Sequence, residues 1–395
     1  MGRQYRIAAI ISVVAFITAA CSSSKNATSA SSTQPAAPSS TQPAAQSSAV
    51  TSSAPAGGSC QAQAAAKVQA ASGAISRAVP SQPLSNTAQL KGKLIFYIPV
   101  EQAATLYQPL QQGLKDAVQA VGAKFTLFDG QNSTTTENQG VLEAINQNAS
   151  VIILVAVSPK VVSTPLQQAL SKGIKVIDVL NGGFTDPLDG LYAHVAPDLG
   201  HIGQLVADQA LATTKCDTSV EGLVLFESAF LFATEVKNGA EAEYKALCPS
   251  CVSYTQDIPS ATIPTSTPQL VQSLLVAHPK IGVVLATNDK TADYVAPTLK
   301  SIGKTDSVKL IGVNAEVPNL AAIQQGAQVG DVLYANPYYL GWQTAYESFR
   351  AILGLPSDQT ALQVQAVAAD NASSVAAELT ERDFVPAFKQ VLGVS

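Results

Sequence analysis

Acidic residues are missing from the first quarter of this 395-residue chain, in which the first acid is Glu101. Seven basic residues precede Glu101, which leaves 16 of the 23 Lys and Arg for residues 101–395. That second part holds all 28 Asp and Glu and has a net charge of −12, whereas the whole chain has −5. The chain therefore has two parts, and the second has the charge of an ordinary acidic globular protein of about two domains.

Other scarcities restrict the function. Nucleic-acid phosphates require clustered Lys and Arg, so the acidic second part argues against a nucleic-acid partner. No apolar run of about 18 residues follows the N-terminus, so no later segment is predicted to span a membrane. The three histidines, His194, His201 and His278, lack the spacing of metal ligands, and no G-x-S-x-G sequence occurs. We therefore expect no catalytic residue, no metal site and no cofactor.

Residues 1–20 are predicted to be a lipoprotein signal peptide. Two arginines precede an apolar stretch of 14 residues that ends at Ala20, which is too short for a spanning helix but typical of a secretory signal. Thr-Ala-Ala-Cys at its end resembles the bacterial lipobox, in which the cysteine, here Cys21, receives diacylglycerol before cleavage. The alternative is ordinary cleavage after the small residues and a free secreted protein. We predict a lipid anchor at Cys21 on the outer face of the cell membrane.

Residues 21–59 are predicted to be a disordered tether. They are mostly Ser, Ala, Thr, Pro and Gln, contain the repeat SSTQPAAP and SSTQPAAQ, and have Val50 as their only large aliphatic residue. Such a segment cannot bury enough apolar area to offset the entropy of ordering. Residues 60–90 form a predicted N-terminal extension, in which the Ala-rich stretch from Gln61 to Ala78 could form a helix with a weak apolar face.

From Lys93 onward, short apolar runs alternate with helical patterns in two consecutive series. The first contains LIFYIP at 94–99 and VIILVAV at 151–157, and the second contains GLVLFES at 222–228 and GVVLATN at 282–288. Runs that are apolar on both faces are typical of parallel strands covered by helices on both sides. The pattern predicts an α/β fold with two doubly wound parallel-sheet lobes.

The predicted site lies at the strand ends, because ligands of doubly wound sheets bind beyond the carboxyl ends of the strands. The residues there are rich in amides and aromatics and poor in His, Cys and clustered charge. This composition favours binding of a neutral polar ligand over covalent chemistry. The strand-end positions are residues 101–107, 129–132, 181–184, 228–230, 257, 288–289 and 314–316.

Two motif-like segments are interpreted as structural. GKT at 303–305 resembles the end of a phosphate-binding loop, but Thr298 stands where that loop requires glycine, and a predicted helix precedes it. CPSC at 248–251 resembles a thiol–disulfide motif, but it follows a predicted helix instead of opening one. We predict a helix cap for the first and a structural disulfide for the second.

Four cysteines remain for disulfides once Cys21 is lipidated: Cys60, Cys216, Cys248 and Cys251. They allow three connectivities. Cys216 and Cys251 each precede a predicted strand, and neighbouring parallel strands could bring them together. Alternatively, Cys248 pairs with Cys251 and leaves Cys216 for Cys60. The second arrangement is preferred because its first bridge requires no contact beyond the local CPSC turn.

Four stretches of the second part together resemble the periplasmic sugar-binding proteins of ABC importers, of the ribose- and galactose-binding type. Their order and spacing carry the resemblance, which covers residues 91–370. The stretches are FDGQN at 128–132, HVAPDLGHIGQLVAD at 194–208, AHPKIGVVLATNDKTA at 277–292 and LIGVNAEVPNLAAIQQG at 310–326.

The resemblance implies the fold of a type I periplasmic binding protein, in which two lobes joined by three hinge segments close on a ligand. Lobe 1 would comprise residues 91–196 and 337–363, and lobe 2 would comprise residues 197–336 and 364–395. The three crossings would fall near Val195–Asp198, Tyr334–Pro337 and Ala361–Val364.

Eight ligand-binding residues are predicted from the resemblance and the strand-end positions. Tyr107 would stack on the apolar face of a sugar ring, or else pack in the core. Asn288 would bind ligand hydroxyls, or else cap the next helix, although Asp289 is the preferred cap. The eight residues are Tyr107, Asn181, Phe184, Phe230, Asn288, Asn314, Glu316 and Tyr334.

Two of these positions, and one residue next to them in the sequence, depart from the family pattern. Asn314 stands where sugar binders have Asp. Asn181 and Leu180 stand where ribose binders have Arg and Asp, so a bidentate donor is missing. The resemblance therefore implies a sugar-like ligand but argues against ribose.

These features predict an exported solute-binding lipoprotein that is not an enzyme. It would capture a small polar ligand, such as a sugar, by hinge closure and deliver it to an ABC permease. We expect a monomer whose partners are the solute, the permease and, through the N-terminal lipid, the membrane. One alternative is a receptor that presents its solute to a membrane sensor kinase. Another, an exported enzyme, would require a catalytic constellation that the sequence lacks.

Overall fold

The computed structural model of the protein describes residues 59–80, 82–182, 190–358 and 361–394. All of them belong to one compact unit, Pro55–Ser395. The predicted signal peptide, Cys21 and all but the last residue of the predicted tether lie outside the described residues. Within the described part, no helix is long and apolar enough to cross a membrane.

Eleven strands and twelve α-helices occur in the described residues. The strands are β1 (Leu94–Pro99), β2 (Lys124–Leu127), β3 (Val151–Val155), β4 (Lys175–Val179), β5 (Ala193–Val195), β6 (Glu221–Phe226), β7 (Ser253–Asp257), β8 (Ile281–Ala286), β9 (Lys309–Ile311), β10 (Asp331–Leu333) and β11 (Gln365–Val367). The helices are α1 (Cys60–Ala70), α2 (Tyr107–Ala120), α3 (Thr134–Asn146), α4 (Ser163–Ser171), α5 (Leu199–Thr213), α6 (Leu231–Leu247), α7 (Ile263–Ala277), α8 (Asp289–Ser301), α9 (Val317–Gln324), α10 (Pro337–Ile352), α11 (Ala372–Glu378) and α12 (Val385–Leu392).

Two parallel sheets define the two lobes. The sheet of lobe 1 has the strand order β2-β1-β3-β4-β5, and that of lobe 2 has the order β7-β6-β8-β9. All five residues of β3 are buried, because helices cover both faces of the sheet. In lobe 2, β10 pairs antiparallel with β11 beside β9. The predicted α/β fold with two doubly wound parallel-sheet lobes is confirmed.

Between β5 and β11 the chain passes from one lobe to the other three times, and the segments before β1 and after α11 each add a further crossing. Residues 196–198 lead from β5 into α5, and residues 334–336 lead from β10 into α10, which packs on α2 in lobe 1. The third passage runs from α10 to β11. The first and third passages lie side by side, since Pro197 forms a β-bridge with Leu362. This pairing brings two of the connections between the lobes together.

Glycines allow two helix pairs to approach closely. A Cβ on Gly341 of α10 would lie 2.3 Å from the Leu110 carbonyl oxygen of α2. In lobe 2, a Cβ on Gly203 of α5 would lie 2.0 Å from the Val236 carbonyl oxygen of α6. Both distances are far below van der Waals contact, so neither position can accept a side chain without separating the helices.

The N-terminal extension contacts both lobes. Its helix α1 packs on α5 of lobe 2 and ends at Ala70, so the Ala-rich stretch is helical over a shorter range than the sequence allows. The chain then runs along the hinge, where the Ala366 N–H donates to the Ala71 carbonyl at 2.9 Å. On lobe 1, the Tyr339 hydroxyl donates to the Ala78 carbonyl at 2.7 Å.

The C-terminal helix α12 packs on lobe 1, whereas the resemblance places all of residues 364–395 in lobe 2. The Phe388 ring lies 5.7 Å from the Trp342 ring and 5.9 Å from the Tyr339 ring, both in α10. This aromatic cluster buries the apolar face of α12, which explains its position. The preceding β11 and α11 do lie with lobe 2, where α11 contacts α9.

The structure contains two disulfides, Cys60–Cys216 and Cys248–Cys251. This is the connectivity preferred from the sequence. The first joins α1 to the turn after α5, and the second closes the CPSC turn after α6. Strands β6 and β7 are neighbours, as the alternative Cys216–Cys251 pairing requires. Cys251, however, is already bonded to Cys248 within the CPSC turn.

Candidate ligand-binding cleft

A cleft at the carboxyl ends of both sheets is lined by residues of both lobes. It contains about 730 Å³ of space free of protein atoms, a figure that includes the open solvent at its mouth. Seven of the eight predicted ligand-binding residues line it, and Phe184 lies outside the described residues. Their roles in binding stay predictions. The seven are Tyr107, Asn181, Phe230, Asn288, Asn314, Glu316 and Tyr334.

Some lining residues were not among the predicted eight. Glu101 follows β1 and Lys290 lies two residues after Asn288, so their strand-end positions were a weak signal for both. The sequence did not indicate that Phe232 lines the cleft, because an aromatic residue near the start of a helix is equally typical of the hydrophobic core. Sequence position indicates closeness to the cleft but does not show which side chains point into it.

Aromatic side chains form the apolar part of the cleft. The Tyr334 ring lies 5.8 Å from the Phe232 ring, and Tyr107 opens α2 on the opposite lobe. Burial raises the pKa of Tyr107 and of Tyr334 above the ordinary tyrosine value. Both hydroxyls therefore stay protonated at neutral pH and can donate a hydrogen bond.

Left-handed backbone conformations occur where strands end at the cleft. Ala156 after β3 and Leu180 after β4 have φ angles of 54° and 59°. After β9, Asn314 and Ala315 have φ angles of 118° and 52°. Such angles are unfavourable for residues other than glycine and cluster at binding sites. They turn the chain sharply from each strand into the wall of the cleft.

Asn288 is both a helix cap and a cleft residue. Its side-chain oxygen accepts from the Thr291 N–H at 3.0 Å, so the prediction that Asp289 caps α8 is wrong. Its nitrogen donates to the buried Glu227 carboxyl at 2.6 Å. Burial raises the pKa of Glu227 to about 7, although Thr291 and Asn288 donate to it. One N–H of Asn288 is left for a ligand.

Asp289 lies beneath the cleft wall, where it forms a buried pair with Asp331. The Asp289 carboxylate accepts from the Glu316 N–H at 2.7 Å, and that of Asp331 accepts from the Ala315 N–H at 2.9 Å. Burial and the neighbouring Asp331 raise the pKa of Asp289 well above the ordinary aspartate value. The two carboxyls hold the 314–316 loop, which presents Asn314 and Glu316 to the cleft.

Asn181 is oriented from behind by a buried network. Its nitrogen donates to the Val157 carbonyl at 2.8 Å and to Asp178 at 3.3 Å. The second carboxylate oxygen of Asp178 lies 2.7 Å from Nδ1 of His194. The other ring nitrogen of His194 lies 2.9 Å from the Gly182 carbonyl oxygen. This network assigns His194 a positioning role behind the lobe 1 wall.

Glu316 and Asn314 face the cleft from the lobe 2 side. The Asn314 nitrogen points to the Glu316 carboxyl at 3.5 Å, whereas its buried oxygen has no hydrogen-bond partner in the part of the chain that the structure describes. Burial raises the pKa of Glu316 to about 7, and the nearby Asp293 and Asp331 act in the same direction.

The arrangement is suited to holding a polar molecule between two walls. Its polar groups are amides, tyrosine hydroxyls, carboxyls and the Lys290 ammonium, and apolar side chains line it as well. Among the described residues, no group of three or more His, Cys, Asp and Glu is placed to hold a metal ion.

Comparison with known families gives one match over most of the chain. The family described as periplasmic binding protein domain matches residues 95–355. The matched segment contains both parallel sheets and all seven predicted residues that line the cleft. No curated protein matches the chain.

Solved structures of ABC transporter solute-binding proteins share the fold. One from Bacillus halodurans C-125 with bound myo-inositol has a TM-score of 0.64 and 18% identity, covering 73% of this chain and 99% of that one. One from Mycobacterium smegmatis with bound glycerol has a TM-score of 0.64 and 23% identity, and the match covers 72% of this chain and 97% of that one. The 5-methylthioribose transporter solute-binding protein from Thermotoga lettingae, in complex with 5-methylthioribose, has a TM-score of 0.64 and 15% identity. That match covers 79% of this chain and 95% of the other.

Proposed function

Because the chain belongs to the periplasmic binding protein domain family, we propose that it is an extracytoplasmic solute-binding lipoprotein that delivers a small polar ligand to an ABC permease. Members of this family bind solutes and are not enzymes. The observation that carries the proposal is the convergence of seven predicted side chains from both lobes on one cleft.

Capture would proceed by hinge closure. Tyr107 and Asn181 approach the ligand from lobe 1, and Asn288, Asn314 and Tyr334 approach it from lobe 2. Both sets contact one small molecule only when the lobes are close. A ligand shifts the equilibrium toward the closed form by as much as it binds that form better. The side-by-side passages at Pro197 and Leu362, which connect the lobes narrowly, support such a motion.

The ligand would be a sugar or a sugar-like polyol. The apolar faces of Tyr107 and Tyr334 suit the C–H face of a sugar ring, and the amides suit its hydroxyls. The similar structures hold myo-inositol, glycerol and 5-methylthioribose, which all carry several hydroxyl groups. The extension to this chain rests on analogy of fold together with the composition of its cleft.

A lipid at Cys21 would anchor the protein to the outer face of the cell membrane. Residues 22–58 would then separate the lipid from α1, giving the binding lobes a reach of ~35 Å over the membrane. Metabolic labelling with a radioactive fatty acid tests this step. We expect label on the wild-type protein and none on Cys21→Ser, and equal labelling of the two would contradict the anchor.

Native mass spectrometry of freshly purified protein tests solute binding, because a tightly held solute survives purification. We expect a co-purified polyhydroxylated compound, or saturable binding of a member of a panel of myo-inositol, glycerol, D-allose, D-tagatose and 5-methylthioribose. The bound compound should raise the melting temperature, since it binds the folded state. A protein that holds no such solute and binds no panel member would contradict the proposal.

A pair of variants locates the binding event. Asn314→Ala should reduce the ligand-induced rise in melting temperature, because this residue lines the cleft. Gln119→Ala, on the exposed side of α2 and outside the cleft, should leave the rise unchanged. Equal responses of the two variants would place the solute elsewhere.

A further inference from the structure

The Asn181 side chain presents an oxygen to the cleft. Its nitrogen donates to the Val157 carbonyl and to Asp178, and a carbonyl can only accept, so the orientation of the amide is fixed. The residue is 3% exposed and lines the cleft. The hydrogen bonds of this side chain among the described residues are all made by its nitrogen, so a ligand group that meets the oxygen has to be a donor.

Asn314 provides a second acceptor on the opposite wall. Its oxygen is buried and, within the described residues, without a hydrogen-bond partner. Its nitrogen is turned toward the Glu316 carboxyl at 3.5 Å. An unmet buried acceptor costs free energy until a donor reaches it. Each wall of the cleft therefore has an asparagine whose oxygen accepts no hydrogen bond from the described residues.

The Glu316 carboxyl lies beside the Asn314 amide, and it forms no ion pair with a basic residue of the described part of the chain. The polar groups that act on it are those of Asn314, Thr105, Asp293 and Asp331. The tyrosine hydroxyls that face it, Tyr107 and Tyr334, are uncharged because burial raises their pKa. Beneath the wall, Asp289 contributes a further carboxyl.

The cation of the cleft is already engaged. Lys290 contacts Glu101 at 2.5 Å, so its charge is balanced across the mouth of the cleft. An ionised Glu316 therefore has no compensating positive charge within the described cleft, and a buried uncompensated carboxylate is unfavourable.

We propose that the cleft selects a hydroxylated ligand that carries a protonated amino group, and that Glu316 binds this group. The proposal rests on the solute-binding function and specifies its ligand class. An ammonium group donates three hydrogen bonds and supplies the missing charge, whereas a hydroxyl donates one and supplies none. A carboxylate or phosphate on the ligand would instead face acceptors of the same sign.

Calorimetric titration of the full-length mature protein with matched compounds tests the proposal. The pairs are D-glucosamine with D-glucose, D-galactosamine with D-galactose, and D-glucamine with D-glucitol. Two further compounds serve as controls: N-acetyl-D-glucosamine, whose nitrogen carries no charge, and D-glucuronate, which carries a negative charge. In at least one pair, we expect the amino compound to bind roughly tenfold to a hundredfold more tightly than its neutral partner.

Glu316→Gln separates recognition of the amine from general binding. The variant keeps the shape of the side chain but loses its charge, so we expect the amino compound to lose more affinity than its neutral partner and the preference for the amino compound to disappear. Glu241→Gln, on the exposed face of α6, should keep the preference. At pH 6, binding of the amino compound should release protons from the wild-type protein and not from Glu316→Gln. Calorimetry in two buffers of different ionisation enthalpy measures the number of protons released.

The outcomes distinguish this inference from the function on which it rests. If neutral sugars or polyols bind and no amino compound binds more tightly, the inference is wrong and the solute-binding function stands. Tighter binding of the anion, or an amine preference that survives Glu316→Gln, would also overturn it. If no compound of either type binds and no solute co-purifies, both proposals fail.

Discussion

Glu101 of lobe 1 and Lys290 of lobe 2 form an ion pair across the mouth of the cleft, with 2.5 Å between the carboxylate oxygen and the amine nitrogen. The two residues are 189 positions apart in the chain. Glu101 follows the first strand of one sheet, and Lys290 lies in the first turn of the helix after β8 in the other. The pair therefore joins the two lobes where a ligand would enter.

Removing this ion pair should weaken ligand binding slightly. Both side chains are partly exposed, at 24% for Glu101 and 41% for Lys290, so Lys290→Met should cost about 0.2–1 kcal/mol of binding free energy. The loss should shrink in high salt because salt screens the pair. Lys237→Met, which removes an ion pair within α6, is the control. Equal affinities of Lys290→Met and wild type at low salt would contradict a closing role.

Two asparagines of the cleft should respond differently to truncation. Asn314→Ala should weaken binding by about 1–3 kcal/mol and leave the stability of the ligand-free protein nearly unchanged. Asn288→Ala should weaken binding and also lower stability by about 0.5–2 kcal/mol, because it removes the cap of α8. Calorimetry and denaturant unfolding measure the two effects. Wild-type affinity in both variants would remove these residues from the site.

The ligand-free protein should become less stable as the pH rises toward neutrality. Burial raises the pKa of Glu227 to about 7, so the folded state binds a proton that the unfolded state has already lost. Stability from this group is full below about pH 4.5 and is lost as the pH rises through 7. Melting temperatures between pH 5 and 8 should show this decline, with a smaller one in Glu227→Gln. Identical pH profiles would contradict the assignment.

The close approach of α2 and α10 should make Gly341 intolerant of any side chain. A Cβ there would lie 2.3 Å from the Leu110 carbonyl oxygen, so Gly341→Ala should destabilise lobe 1 by about 1–3 kcal/mol or more. Gly73→Ala is the matched control, since a Cβ at Gly73 meets no atom within 4 Å. Denaturant unfolding compares the two variants, and equal stabilities would show that the helices are farther apart.

The two disulfides should contribute unequally to stability. Cys60–Cys216 closes a loop with a sequence separation of 156, so the double Ser variant should lose about 4–5 kcal/mol in the chain-entropy account. Cys248–Cys251 has a separation of 3 and should contribute much less. Thermal unfolding of both double variants without reductant measures the difference. A larger loss from the local bridge would contradict this ranking.

The sequence was sufficient for the sheets and for the position of the cleft. Strands such as β3 are apolar on both faces, which is typical of parallel strands under two helix layers, and parallel strands bring their carboxyl ends to one edge. Polar residues just after several strands could therefore be assigned to one cleft without knowledge of any contact. This reasoning placed Asn181, Asn288 and Asn314 together.

The details of the site could not be predicted, because they depend on contacts between distant segments. Asn and Asp are comparable helix caps, so the sequence could not decide between Asn288 and Asp289. The choice follows from the buried partner of Asp289, which is Asp331, 42 residues later. The position of α12 was missed for the same reason. Its pattern of apolar residues is compatible with packing on either lobe, and the aromatic residues that it contacts lie on α10, which is distant in sequence.

Small-angle X-ray scattering of the protein with and without its co-purified or best-binding solute tests the central claim most directly. A ligand held between both lobes should favour the closed form, so we expect the radius of gyration to fall on saturation. Asn314→Ala should require more ligand for the same change. An unchanged radius of gyration at full saturation, together with an unchanged melting temperature, would contradict capture by closure.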